Sequence, residues 1–247
     1  MTRVKSSWHS ERLDREVNIV RWGEVGTPVL FFSTAAGDCE ECERFLMVEA
    51  LDELITAGRI KLYSVDSVPG QVWLQESNDA VPAAKAQNAF DGYLYNELVP
   101  AIRKDCDSED IQIIAAGPSI GAFEALAAVC RHPDVFSHAI CMSGTYGLEK
   151  FIEGSLNRDW YDSSPLHFLP DLEEDGAHLK QLRERSIVIT HGEGRWEDPE
   201  ESWKVARALG ERDIPNRVVP WGEEWDHDWP TWRKMLPLYL EEYLSAQ

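Results

Sequence analysis

The chain contains no run of eighteen consecutive apolar residues, so no transmembrane helix is expected. Its first ten residues, MTRVKSSWHS, lack the apolar centre of a secretory signal, and a cytoplasmic location is the default expectation. Positive charge is scarce: 24 Lys and Arg face 44 Asp and Glu, a formal net charge of −20 at pH 7. Such a surface repels nucleic acid and anionic membranes, because both are polyanions, and neither is expected as a partner. The same field disfavours a strongly anionic substrate unless a local basic patch overrides it. Cysteines are few and odd in number, Cys39, Cys42, Cys106, Cys130 and Cys141, so no disulfide framework is expected. Cys39 and Cys42 form a C-x-x-C, but no second pair stands at matching spacing to complete a zinc site. Glu40 and Glu41 lie between the thiols and raise their pKa values by like-charge repulsion, which disfavours redox chemistry. No internal repeat and no Gly/Ser linker interrupts the 247 residues, which read as a single domain over 1–247.

What is present is an alternation of short β-like runs and longer helical stretches. Strands are expected at 17–22, 28–32, 60–65, 111–116, 135–142, 186–190 and 216–220. The run Pro-Val-Leu-Phe-Phe at 28–32 is apolar throughout, as in a parallel sheet buried on both faces. Helices are expected at 39–57, 82–105, 120–130, 200–209 and from 231 to the end. Strands alternating with helices of this length imply an α/β fold with a mostly parallel central sheet. The segment 145–175 is rich in Tyr, Trp, Asp and Pro and reads as a loop or small cap over the sheet.

Gly117-Pro118-Ser119-Ile120-Gly121 is a G-x-S-x-G motif that follows an apolar strand and opens a helix. That context is what a nucleophile elbow requires. A sharp turn lifts the serine hydroxyl above the sheet, and the glycines leave room where a Cβ would clash. The same turn aims the amide of Ile120 at a developing oxyanion. A second donor is expected from the loop after the 28–32 strand, at Ala35 or Ala36. The serine needs a base. His227, in Trp225-Asp226-His227-Asp228-Trp229-Pro230, follows the last strand and precedes the last helix, where this fold presents its histidine. His191 is the one serious rival. The acid is expected after the 186–190 strand, where Asp198 is favoured and Glu197 is the alternative. Adjacent side chains point apart, so one of the two reaches His227. Trp73, Trp160, Tyr161, Trp196, Trp225 and Trp229 fall near the loops at the same end of the sheet, and either line a pocket or pack the loops.

With these residues in place, the chain resembles the putative esterase family of α/β-hydrolases, the group related to esterase D and S-formylglutathione hydrolase. The resemblance runs through Arg15-Glu16-Val17, Trp22-Gly23, Gly37-Asp38, Asp66-Ser67, the Ser119 motif, Met142-Ser143-Gly144 and Trp221-Gly222, to His227-Asp228-Trp229-Pro230. The acid segment departs from the D-x-G-x-x-D of the glutathione-ester hydrolases. The resemblance implies carboxylic-ester hydrolysis of a small-molecule ester, with no metal or organic cofactor; homo-oligomerisation is left open. Acyl transfer, thioester or peptide cleavage on the same fold is the alternative reaction class. A non-catalytic binding protein is the alternative outside enzymology, and a fluorophosphonate probe that labels or spares Ser119 separates the two.

Overall fold

The apolar runs lie side by side as one eight-stranded sheet, in the order β1-β2-β4-β3-β5-β6-β7-β8. The computed structural model describes residues 1–35, 37–73, 80–147 and 158–247. The strands are β1 (Arg3–Ser10), β2 (Arg15–Trp22), β3 (Thr27–Phe32), β4 (Ile60–Val65), β5 (Ile113–Pro118), β6 (Phe136–Met142), β7 (Ser186–His191) and β8 (Asn216–Pro220). From β4 to β8 every pairing is parallel; β1 and β2 add an antiparallel edge. Nothing in the apolar pattern marks β1, because it is exposed along most of its length and pairs by its backbone with β2.

The strand period of two sorts each central strand between two cores. Leu30, Phe32, Ala115, Cys141 and Ile189 face one core, while Val29, Phe31, Ala116, Met142 and Val188 face the other. Helices cover both faces. One face carries α1 (Glu41–Arg44), α2 (Met47–Ala50), α3 (Asp52–Thr56) and the C-terminal helix α12 (Trp229–Ser245). On the other, α4 (Val68–Trp73) leads to α5 (Ala80–Tyr93), α6 (Val99–Asp105) and α7 (Ile120–Arg131). The helices α8 (Arg158–Ser163), α9 (Pro165–Phe168), α10 (Ala177–Leu182) and α11 (Pro199–Gly210) complete that layer.

Two expected helices differ in form. The 39–57 stretch breaks into α1, α2 and α3, because Leu46 takes a left-handed φ of 62° and interrupts the helical bonding. The 82–105 helix forms, but Leu94–Leu98 is a π turn just ahead of Pro100. Proline has no N–H to give and its ring crowds the carbonyl one turn earlier, so the ladder widens there. Of the expected cap, 148–157 lies outside the described residues. The remainder forms α8, α9 and a 3-10 turn at Leu169–Asp171. It is fastened to α5 by Asn88, whose side-chain N–H groups donate to the Asp159 carbonyl (2.9 Å) and carboxylate (3.1 Å). Among the described residues no helix is long and apolar enough to cross a membrane.

Candidate active site

Strand β5 ends at Pro118, α7 begins at Ile120, and Ser119 turns between them at φ 57°, ψ −123°. A non-glycine residue holds such a conformation only when its surroundings enforce it. Here the Ser119 N–H donates to the Met142 carbonyl (2.9 Å), and the Ser119 carbonyl accepts from Ala122 (3.1 Å) and Thr145 (3.3 Å). The glycines have the steric role that the motif implies. A Cβ on Gly117 would lie 2.5 Å from the Gly121 carbonyl oxygen and 2.8 Å from that of Phe32. One on Gly121 would press into the same Phe32 oxygen and lie 2.9 Å from that of Ser33. Strand β3 and helix α7 thus touch backbone to backbone beside Ser119. The Ile120 amide stands in the first turn of α7, where an N–H has no intrahelical acceptor.

The loop after β3 is pinned by a residue the motif search does not find. Glu41 is buried, and its carboxylate accepts the Thr34 N–H (2.8 Å) and the Thr34 hydroxyl (2.6 Å). Gly37 then closes a turn onto the Thr34 carbonyl (2.9 Å) and accepts the Ser67 N–H (3.1 Å). Ala35 sits in this turn, partly exposed, against Gly70. Ala36, the other expected donor, lies outside the described residues. Cys39 and Cys42 are core side chains. Burial first, then the nearby Asp66 carboxylate, pushes the Cys39 thiol up to about 12; burial does the same to Cys42. After burial, Glu43 and Glu41 also raise Cys42, while Glu40 is paired with Arg3 and Lys5 on the surface.

Beyond β7 lie the favoured acid Asp198 and its alternative Glu197, and the Glu197 carboxylate is placed beside His227. The Glu197 side chain is 1% exposed, and its Oε2 lies 3.7 Å from His227 Nδ1. Its Oε1 accepts the Ser143 hydroxyl (2.5 Å) and the Gly192 N–H (3.1 Å). Asp198 is the N-cap of α11, just ahead of Pro199, with its carbonyl accepting the Glu201 N–H (3.1 Å). Trp196, the residue before Glu197, takes a left-handed φ of 69° and is itself 86% exposed.

His227 precedes the capping residue of α12. Asp228 accepts the Thr231 N–H (3.2 Å) and hydroxyl (3.1 Å) there, which sets where the helix starts and where the imidazole emerges. The His227 ring packs edge-on against Trp232, with centroids 5.2 Å apart at 83°. Its loop is clamped to the Glu197 loop. The Arg195 carbonyl accepts the His227 N–H (3.0 Å), and the Arg195 guanidinium donates twice to Asp226 Oδ2 (2.8 and 2.6 Å). That bond holds the Asp226 carboxyl below the usual range. Among the described residues Ser119 Oγ makes no direct hydrogen bond to His227. Catalytic bonds of this kind are commonly long without substrate and tighten when it binds.

The rival His191 is buried, and its Nδ1 faces the Gly192 carbonyl (2.7 Å), which keeps it in the core. Of the aromatics grouped near the site, Trp160 and Trp229 are core residues and Trp196 points to solvent, so they do not line one pocket. The Trp73 side chain is outside the description. A groove of about 390 Å³ around His138, Arg217 and Tyr243 opens where β7 and β8 begin, and Ser119, Glu197 and His227 do not line it.

The architecture is that of an α/β hydrolase, and Ser119, Glu197 and His227 each follow the C-terminal end of one of its parallel strands. The family model described as Putative esterase matches residues 27–243, and the chain belongs to that family of carboxylic-ester hydrolases. Among solved structures it is similar to a ferulic acid esterase, at 19% identity and TM-score 0.73, over 97% of this chain and 96% of that one. It is similar to an S-formylglutathione hydrolase from Agrobacterium tumefaciens at 16% identity and TM-score 0.73, over 98% and 94%. A fluorophosphonate-binding serine hydrolase of Staphylococcus aureus aligns at 13% identity and TM-score 0.66, over 98% of both chains. At these identities the likeness is one of fold. Curated protein sequences yield no match.

Proposed function

We propose that the chain hydrolyses a small carboxylic ester through Ser119, His227 and Glu197. The observation that carries the reading is the setting of Glu197: one carboxylate oxygen is tied to Ser143 and Gly192, the other is left for His227 Nδ1. A buried carboxylate at that nitrogen places the ring proton on Nδ1 and leaves Nε2 free to accept. Nε2 takes the Ser119 proton as Oγ bonds to the ester carbonyl carbon. The oxyanion is received by the Ile120 amide and by the loop of Ala35 and Ala36. Collapse expels the alcohol, which leaves with the proton carried by His227. Water then repeats the sequence on the acyl-enzyme, yielding the acid and restoring Ser119. The Glu197 carboxylate offsets the transient imidazolium charge.

The test is p-nitrophenyl acetate turnover. Ser119→Ala should lower kcat/KM by at least about 10³-fold with an unchanged melting temperature, as expected for loss of a catalytic nucleophile. A fluorophosphonate should add its mass to Ser119 in the unaltered chain and not in the variant. Retained turnover in Ser119→Ala would end the proposal.

A further inference from the structure

Ser143 stands where β6 has just ended and belongs to none of the steps above. It is buried, and it holds a left-handed φ of 48°, braced by its N–H donating to the Thr190 carbonyl (2.7 Å). Its hydroxyl lies between two groups. Trp232 Nε1 is 3.0 Å away on one side, and Glu197 Oε1 is 2.5 Å away on the other. An indole N–H can only donate and a carboxylate can only accept. The direction of the chain is therefore set: Trp232 N–H gives to Ser143 Oγ, and the Ser143 proton is committed to Glu197 Oε1. Trp232 closes the circuit, because its ring is also the wall against which His227 packs.

The geometry points to Ser143 and Trp232 as positioning residues: a one-way hydrogen-bond relay that holds one oxygen of the Glu197 carboxylate and so fixes the plane of the group, with the other oxygen facing His227. The inference rests on the proposed roles of Ser119, His227 and Glu197. The relay accounts for two features that a plain core contact would not require. One is a strained, non-glycine backbone at Ser143, a cost of the kind retained where a group must be aimed. The other is a buried tryptophan whose only polar atom meets a hydroxyl, not a backbone carbonyl. Gly192 N–H supplies a second, weaker hold on the same oxygen at 3.1 Å.

The experiment is a double-mutant cycle on the full chain with p-nitrophenyl acetate as substrate. Endpoint titration with a fluorophosphonate normalises each variant to its competent fraction. Ser143→Ala should lower kcat by about 10- to 100-fold, the range for one hydrogen bond to a charged group, with KM within about twofold. Trp232→Phe keeps the ring beside His227 and removes only the N–H, so it should lower kcat by about 2- to 10-fold. In a Glu197→Ala background both substitutions should alter kcat by less than about twofold, since the group they orient is gone. A loss of the same factor with and without Glu197 would assign Ser143 a purely structural role and overturn the relay. Wild-type kcat in Ser143→Ala, with a severe loss in Glu197→Ala, would overturn the relay alone. Wild-type kcat in Glu197→Ala would remove the triad reading and the relay together.

Discussion

Glu124 provides a test of the packing beside the nucleophile. It lies on α7 five residues beyond Ser119, wholly enclosed against α5, and burial raises its carboxyl pKa to about 8. Gln87 Nε2 donates to Glu124 Oε2 at 2.6 Å. The other half of each group, Gln87 Oε1 and Glu124 Oε1, has no partner when the acid is ionised, because both atoms are acceptors. One proton on Glu124 removes the buried charge and turns one of its oxygens into a donor. Glu124→Gln mimics that protonated state, with an N–H where the acid has its O–H. The sign follows from linkage. The folded-state pKa is above the unfolded value near 4.5, so the native state holds a proton the unfolded chain has lost. The contribution is full below pH 4.5 and disappears as pH rises through about 8. An interval of that width corresponds to about 5 kcal/mol. Water entering on ionisation raises the effective dielectric and brings the expected loss to about 2–3 kcal/mol. For a chain of this size that is a melting-temperature difference of about 5–10 °C. Calorimetry at pH 5, 7 and 9 on both proteins is the assay. The general repulsion of a −20 chain acts on both equally, so the quantity read is the gap between them. Glu124→Gln should match the parent at pH 5 and melt higher at pH 9. Parallel curves across the range would refute the account of this pair.

Three further outcomes follow from the site. Glu197→Gln should lower kcat on p-nitrophenyl acetate by about 10²- to 10⁴-fold, and Asp198→Asn by less than about threefold; steady-state kinetics on both decides which carboxylate serves His227. Gly121→Ala drives a methyl into the Phe32 carbonyl, so it should cost about 3 kcal/mol in urea unfolding and suppress fluorophosphonate labelling of Ser119. Asp226→Asn loosens the clamp between the Glu197 and His227 loops. Arg195 is 80% exposed, so the melting temperature should barely move while kcat falls clearly, a contrast that melting curves and turnover measure side by side.

The strands that form the inner sheet were legible because both faces of each are largely buried, so polar residues are a minority in most of them: β3 is apolar from Pro28 to Phe32, and β7 keeps Ile187-Val188-Ile189 at its centre. Strand β1 was hidden for the opposite reason, since its side chains are mostly in water and its identity lies in backbone pairing. Ser119 and His227 stood out as candidates because each is tied to an element boundary, a strand-to-helix turn for one and a capped helix start for the other. The candidate acid had no such mark. Glu197 and Asp198 are neighbours of like chemistry, and the left-handed backbone of Trp196 just before them has no sequence signature in a bulky aromatic. Glu41 and Ser143 were equally silent, because their partners lie across the fold and a local pattern carries no record of contacts 7 or 54 residues away in the chain.

The left-handed turns at Ser119 and Ser143 share one physical origin. Past their C-terminal ends the parallel strands do not separate at once. The Ser119 N–H still reaches the Met142 carbonyl, the Ser143 N–H the Thr190 carbonyl, and the Trp221 N–H the His191 carbonyl. Each is the next rung of the sheet, made by a residue that has already begun to turn away. The rungs hold Ser119 and Ser143 at left-handed φ values, 57° and 48°, that neither would adopt alone. Strain of about 1–3 kcal/mol per residue is thereby offset by a sheet that is already paired for most of its length. A functional group mounted on such a rung inherits the rigidity of the sheet without being buried inside it. The candidate nucleophile and the candidate aiming residue for the acid are therefore placed by one device, and loosening the sheet at Met142 or Thr190 should disturb both together.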